Sequence, residues 1–361
     1  MLEQIWKETL RREGLSVWSI LAGLFWILSL LYGLGAWINR HRPRWVARVN
    51  VPVISIGNIA VGGSGKTPLV MAIAGAFVKR GYEVGIVSSG YGRDSTDSII
   101  GRGKEICLRT ASEVGDEALL LAERLPSVVF SIHPVKSEAA RKLTNQLAVD
   151  LIIIDDGFQH FGLHRDLDIV AIDATSPAKW LNPMPLGILR EPISSLRSAD
   201  IIVYTRSNVA GDVGNLREIV SPCTKHAKSI SANFTTDMLV GKSRSEPLSY
   251  LKDKRVLAFA GIGHFDHFRR QIEKMAGTLV TAIELSDHQK YDEATVARLK
   301  KAIGQHDPQI VLTTAKDWVK TRDFDFGPEF YYLELKVTFL PPEDDFVAEI
   351  AQKLQLVSPT R

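Results

Sequence analysis

A lysine and a threonine that close a glycine-rich turn form a pair with a definite chemical use. In VPVISIGNIAVGGSGKTP, residues 51–68, an apolar β-branched run (Val51, Val53, Ile54, Ile56) enters a loop carrying Gly62, Gly63, Ser64 and Gly65, which ends on Lys66 and Thr67. Glycines let successive backbone N–H groups turn toward phosphate oxygens. A lysine at that place meets the β and γ phosphates, a threonine hydroxyl reaches Mg2+, and the helix N-terminus adds a favourable field. The order strand, loop, helix therefore predicts binding of a nucleoside triphosphate. The strict spacing G-x-x-x-x-G-K-(S/T) is missed by one residue, because Ala60 stands at the first glycine position. Gly62, Gly63 and Gly65 keep the tight part of the loop permissive.

Other groups could act on a bound triphosphate. Asp155 and Asp156 end the apolar run Leu-Ile-Ile-Ile. Carboxylates at such a strand end can serve the Mg2+ side of a phosphate site, opposite Thr67. The run that follows, Gly157 to Asp168, is crowded with polar side chains, among them Gln159, His160 and Arg165. A lone histidine is more often a structural hydrogen-bonding residue than a base, so His160 is not read as catalytic. Asp116 and Glu117 follow Gly115 at a helix start, where an acid serves as cap or dipole partner. Phosphoryl transfer to a hydroxyl also needs a proton acceptor, and Asp116 could be it. Asp287 and His288 follow a later strand, and His288 could orient or assist such a base.

These groups need elements to hold them. The pattern predicts helices over 69–78, 113–124 and 134–145, and strands over 83–88, 128–132, 151–154, 167–172 and 201–204. It weakens between 209 and 247. It then resumes with strands at 255–260, 279–285, 310–314 and 329–337 and helices at 265–275, 292–303 and 344–354. Apolar strands alternating with helices predict a mostly parallel sheet covered on both faces. The expected architecture is α/β: a P-loop NTPase-like core over 46–232, a smaller α/β domain over 233–361 that closes the active-site cleft, and an N-terminal segment, 1–45, associated with membrane.

The bulk composition agrees with a globular chain of more than one domain: 361 residues, 45% hydrophobic and 24% charged. A net charge of +3 gives no argument for nucleic acid, and no feature points to an obligate protein partner. Cys107 and Cys223 form neither a C-x-x-C nor a disulfide framework, as suits a reducing compartment. The N-terminus is the exception. From Leu15 to Ile38 there is no charged residue, close to the ~20 residues that span a bilayer. Trp18 and Trp37 sit near its ends, where interfacial rings prefer to lie. Arg40, Arg42, Arg44 and Arg48 follow without an acid, whereas Lys7, Arg11 and Arg12 are balanced by Glu3, Glu8 and Glu13. That bias places the bulk of the chain in the cytoplasm and draws the arginines to an anionic leaflet. An interfacial helix, with Leu2, Ile5, Trp6 and Leu10 as an apolar stripe, remains open beside a spanning one, as does a buried core helix.

Taken together, these runs resemble the tetraacyldisaccharide 4'-kinase family, the lipid A 4'-kinases of Gram-negative bacteria. The matching segments are GNIAVGGSGKTP (57–68), SSGYGR (88–93), GDEALLLA (115–122), DDGFQHFGLHRDLDIVAID (155–173), PLGILREP (185–192), AGIGHFDHF (260–268), LSDHQKY (285–291) and TTAKDWVK (313–320). Departures are small: Ala118 where the family more often has Pro, Leu285–Ser286 where it has Phe-Pro, and Ala315 where its lysine motif begins with Glu. The second bears on the approach to His288. The resemblance implies transfer of the ATP γ-phosphoryl group to the 4'-hydroxyl of a disaccharide 1-phosphate bearing four acyl chains, a lipid substrate, at the cytoplasmic face of the inner membrane. It implies Lys66 and Thr67 on phosphate and Mg2+, Asp116 as base with His288 as partner, and Asp155 and Asp156 on the metal side. Glu117, Gln159 and Glu191 would line the nucleotide–metal site, and Arg93, Arg190 and Lys316 would contact phosphate or substrate. Two rivals fit less well. A membrane-associated P-loop ATPase acting as a protein-interaction switch would carry a lysine at position 61, where Val61 stands, and a GTPase would carry N-K-x-D, which is missing.

Overall fold

The computed structural model describes residues 17–210 and 213–357, with side chains of the first helix described from Gly23 onward. Leu2, Ile5, Trp6 and Leu10, the charges between Glu3 and Glu13, and the ring of Trp18 lie outside the described residues. Along the chain run β1 (Val53–Asn58), β2 (Val84–Ser88), β3 (Ile99–Arg102), β4 (Val129–Ile132), β5 (Leu151–Asp155), β6 (Leu167–Asp173), β7 (Ile201–Thr205), β8 (Lys228–Gly241), β9 (Ser245–Pro247), β10 (Arg255–Ala260), β11 (Thr278–Glu284), β12 (Ile310–Thr314) and β13 (Glu329–Leu340). The longer helices are α1 (Val17–His41), α2 (Lys66–Lys79), α3 (Asp116–Arg124), α4 (Lys136–Gln146), α5 (Val213–Val220), α6 (Phe265–Met275), α7 (Glu293–His306), α8 (Ala315–Thr321) and α9 (Glu343–Lys353).

Contacts group the chain into two compact units. One holds the chain up to Val70, Asp150–Asn233 and the chain from Thr338; the other holds Met71–Val149 and Phe234–Val337. Residues 71–149 thus group with 234–337, not with the glycine-rich loop as the expected division at 232/233 has it. The reason is a set of polar contacts that local sequence does not announce. α3 packs on α8, and Arg124 bonds Glu334 at 2.8 Å, while Arg322 pairs with Glu123.

In the first unit five parallel strands lie in the order β8-β7-β6-β1-β5. β1 is buried at every position, as are β5, β6 and β7. Strands covered on both faces are necessarily continuous apolar runs, which is why Val-Ile-Ser-Ile and Leu-Ile-Ile-Ile were readable as such. β6, β7 and the segment 158–220 share a core of Phe158, Val170, Ile172, Leu189, Leu196, Ile202 and Tyr204. β1 pairs β5 on one side and β6 on the other, so its C-terminal end opens into the crevice where such sheets bind ligands. In the second unit β2 and β4 are parallel with β3 antiparallel at the edge, and β11-β10-β12-β13 form a parallel set. Leu257, Phe259, Leu299, Val311 and Phe326 pack one face of that set, and Val256, Ala258, Phe268, Ile272 and Leu312 the other.

α1 rests on the first unit along one narrow edge. Ser29 Oγ donates to the Pro183 carbonyl at 2.6 Å, and a Cβ added at Gly33 would stand only 3.4 Å from Pro183. Leu24, Trp26, Ile27, Leu30, Leu31, Leu34, Trp37 and Ile38 stay exposed around the rest of the helix. Among the described residues no helix is long and apolar enough to cross a membrane.

Candidate functional site

In the first unit, β1 runs straight into the loop and the loop into α2, whose first residue is Lys66. Gly62 and Gly65 take φ of +94° and +80°, which a side chain would strain; those two glycines are required by the turn itself. Pro68 lies in the first turn of α2, where no earlier carbonyl awaits its missing N–H. The loop is held from behind. Asn58 Nδ2 donates to Ser64 Oγ and to the Ala60 carbonyl, each at 2.7 Å, and Thr205 Oγ1 donates to the Ser64 carbonyl at 2.9 Å. Ala60 at the first glycine position costs the loop nothing visible, since its carbonyl serves this network.

The Asp156 carboxylate, just past the end of β5, faces the loop lysine. Lys66 Nζ lies 3.4 Å from Asp156 Oδ1, and Arg190 Nη1 donates to Asp156 Oδ2 at 3.1 Å. Asp156 takes a left-handed φ of +50°, which turns its side chain away from the strand direction of buried Asp155. Gln159 Nε2 donates to the Asn58 carbonyl at 2.7 Å and to Glu191 Oε1 at 2.8 Å. Glu191 is buried and takes a further bond from Arg40 at 2.6 Å. Gly57 permits this closeness, because a Cβ there would fall 2.6 Å from that of Phe158. Thr67, Asp155 and Asp156 offer oxygen donors only. Among the described residues no cluster of three or more His, Cys, Asp and Glu could hold a metal by itself. Mg2+ takes one or two carboxylates plus phosphate and water, so this donor set suits it and does not suit a zinc-type cage.

The second unit carries the other predicted group. Asp116 is the first residue of α3, and its carboxylate meets His288 Nδ1 at 3.0 Å. A carboxylate only accepts, so Nδ1 donates; Nε2 then accepts from the Lys316 ammonium at 3.1 Å, which also bonds Asp287 at 2.7 Å. His288 itself holds a left-handed φ of +56°, and the Tyr91 ring meets it edge-on at 5.0 Å. Lys320 Nζ lies 3.6 Å from Asp116 and 3.3 Å from fully buried Asp317, donates to the Gln289 carbonyl and sits over the Tyr291 ring. Asp317 is fixed in turn by Thr314 Oγ1 and the Gly261 N–H.

These contacts set the charge states. Burial alone would raise the Asp116 carboxyl, but the His288 hydrogen bond and the charges of Lys316, His288 and Lys320 outweigh it and hold it below the usual carboxylate range. The Asp116 hydrogen bond raises His288 against burial and the nearby Lys316 charge. Burial pulls Lys316 down, yet Asp116 and Asp287 more than compensate and it is raised. The result is a carboxylate–imidazole pair framed by two ammonium groups, able to take a proton while remaining fixed.

The structure therefore brings Lys66, Thr67, Asp155, Asp156, Gln159 and Glu191 into one group and Asp116, Glu117 and His288 into another, each within its own unit. Lys316, expected on phosphate or substrate, stands in the second group on His288 and Asp287, while Arg93 donates to the Asp97 carbonyl of its own loop at 2.7 Å. Arg40 departs from expectation: its side chain is turned inward onto Glu191 and is no longer available to a leaflet. Sequence reading missed Asn58, Arg40 and Lys320 as members of these groups. Lys320 carried a signal, since it stands one turn from Lys316 and Asp317 on α8.

The fold and loop define a P-loop nucleotide-binding α/β protein that also carries a hydrogen-bonded carboxylate–histidine pair. Residues 21–355 match the model of the family described as Tetraacyldisaccharide-1-P 4'-kinase (LpxK), and the chain belongs to that family. It is 36% identical over 294 residues to a tetraacyldisaccharide 4'-kinase of Geobacter metallireducens, covering 81% of this chain and 83% of the relative. A relative of the same description from Syntrophotalea carbinolica is 32% identical over 328 residues, covering 90% and 89%. A crystal structure of LpxK from Aquifex aeolicus in complex with ATP superposes with a TM-score of 0.71 at 27% identity, covering 92% of this chain and 99% of the other.

Proposed function

We propose that this protein is an ATP-dependent kinase that moves the γ-phosphoryl group of ATP to the 4'-hydroxyl of a tetraacyldisaccharide 1-phosphate in lipid A biosynthesis. The observation that carries the reading is the intact loop, with Lys66 heading α2 beside the Asp155–Asp156 strand end, in a chain matched to this family over 21–355. In this reading the N–H groups of 62–66 and the Lys66 ammonium hold the β and γ phosphates. The Thr67 hydroxyl and the Asp155–Asp156 side would hold Mg2+, which would neutralise charge on the phosphate oxygens. The acceptor hydroxyl gives its proton to Asp116, and the His288 imidazole, itself hydrogen-bonded to that carboxylate, fixes and stabilises it as charge changes. Lys316 and Lys320 keep Asp116 ionised until the proton arrives.

The acceptor is a lipid, and the exposed apolar flank of α1, from Leu24 to Ile38, supports a place at the cytoplasmic face of the inner membrane. A tether there raises the local concentration of acceptor. The test is direct: purified chain, Mg-ATP labelled at the γ position and acylated disaccharide 1-phosphate should yield a doubly phosphorylated lipid. Lys66→Ala and Asp116→Ala should each reduce the rate by about 10²–10⁴-fold, with nucleotide binding spared only in the second. An Asp116→Ala protein that turns over like wild type rejects the base assignment.

A further inference from the structure

Arg40 lies in the last turn of α1, the helix the reading above assigns to the lipid surface. Its guanidinium does not point outward. Nε and Nη2 bond the two oxygens of Glu191 at 2.6 and 3.2 Å, and Nη1 bonds Ser198 at 2.6 Å. The same plane lies over the rings of Phe158 and Phe161, 4.4 and 4.8 Å from their centroids. Such a fork, hydrogen-bonded through each of its nitrogens and lying against two rings, has one orientation. Glu191 accepts from Gln159, Gln159 also donates to the Asn58 carbonyl, and Asn58 donates to Ser64 in the phosphate loop. Five residues thus run without a gap from the first helix to the loop, Asn58 joining by its carbonyl on one side and its side-chain amide on the other, all inside one compact unit.

We infer that Arg40 is a positioning residue for ATP: it fixes Glu191, and through Gln159 and Asn58 the seat of α1 sets the shape of the phosphate loop. This rests on reading residues 57–68 as the ATP loop. Arg40 touches neither phosphate nor acceptor; it acts through the buried carboxylate. Removing it leaves Glu191 buried without its cation, and the carboxylate then pulls on Gln159 and the loop behind it.

The test uses the full-length chain in detergent. ATP affinity is read by equilibrium dialysis with labelled ATP, and the KM values for ATP and for acylated disaccharide 1-phosphate by turnover. Arg40→Met should weaken ATP binding and raise its KM about tenfold while the acceptor KM stays within about twofold; Arg40→Lys, which keeps charge without the fork, should fall between. In a Glu191→Gln background Arg40→Met should change ATP affinity by less than about twofold, because the stranded charge is gone. Folded Arg40→Met with wild-type ATP affinity overturns the inference, as does an undiminished effect in the Glu191→Gln background. If Arg40→Met does not fold, Arg40→Lys decides, and wild-type ATP affinity there has the same force. A wild-type chain that binds ATP but phosphorylates no acceptor rejects the proposed reaction and leaves the dialysis arm intact.

Discussion

Asp116 and His288 make opposite demands on pH. The Asp116 carboxyl is held below its ordinary value near 3.9 and the His288 imidazole above its ordinary value near 6.5. The stabilisation from the lowered Asp116 is present above about pH 4 and is lost as pH falls through its folded value. That from the raised His288 is full below about pH 6.5 and is lost as pH rises through its folded value. Catalysis runs the other way, because an imidazolium is less able to support a carboxylate that is gaining a proton. We expect kcat/KM to fall on the acid side with an apparent pKa above about 6.5, and His288→Gln to abolish that limb while lowering the rate about 10²-fold. A pH–rate profile of the variant checks this; an unchanged acid limb would remove His288 from the reaction. Sequence offered each of these residues separately, Asp116 as a proton acceptor at a helix start and His288 as its assistant after a strand. Their meeting across 172 positions, and Lys320 beside them, depends on the packing of α3 on α8, which no local pattern encodes.

At the level of elements, sequence and structure agree where burial leaves one solution. β10, α6 and β12 fall where the pattern puts them, β5, β6 and β7 differ by a single residue, and β1 begins two residues into the apolar run that opens at Val51. β8 escaped notice because Ser, Thr, Asn and Lys fill its outward positions. Yet Ile230, Ala232 and Phe234 alternate into the core, a period-two signal that was present. α8 was hidden by its shortness, although Thr314 caps it by accepting from the Asp317 N–H, a recognisable start signal. The predicted helix over 113–124 is broken at Gly115, whose φ of +89° separates a short turn from α3. α1 has its own prediction. Burying a leucine side chain stabilises by roughly 1.5–3 kcal/mol, so the exposed Leu30 and Leu34 should together dominate contact with acyl chains. The double variant Leu30→Glu/Leu34→Glu should pellet with anionic vesicles at least about tenfold less and keep wild-type ATP affinity. Equal pelleting would show that this flank does not face lipid.

For the molecule as a whole, the two compact units are interleaved in the chain, each assembled from separated stretches. A simple cut after residue 232 removes the C-terminal stretch from the first unit and leaves 71–149 without β10, α8 and β12. Such a fragment should show no cooperative melting by circular dichroism, whereas the full chain should. A fragment 1–232 with a sharp transition would mean that the partition read from composition, with its boundary at 232/233, describes independent folding better than the contacts do. Composition could not reveal interleaving, because both units use the same alternation of strand and helix.

Gly90 and Gly115 face one another main chain to main chain: a Cβ on Gly115 would lie 3.0 Å from Gly90 carbons, and one on Gly90 2.6 Å from Ile132, with both residues at positive φ. Between them stand the loop that presents Tyr91 and the start of the helix that presents Asp116. Tyr91 is largely exposed, so a change of its side chain meets no steric bar, whereas a side chain at either glycine strains the backbone and strikes a neighbour. An inhibitor that grips the peptide groups of 90 and 115 would therefore meet a surface with no route of escape by substitution, whereas one that leans on the Tyr91 ring would invite resistance.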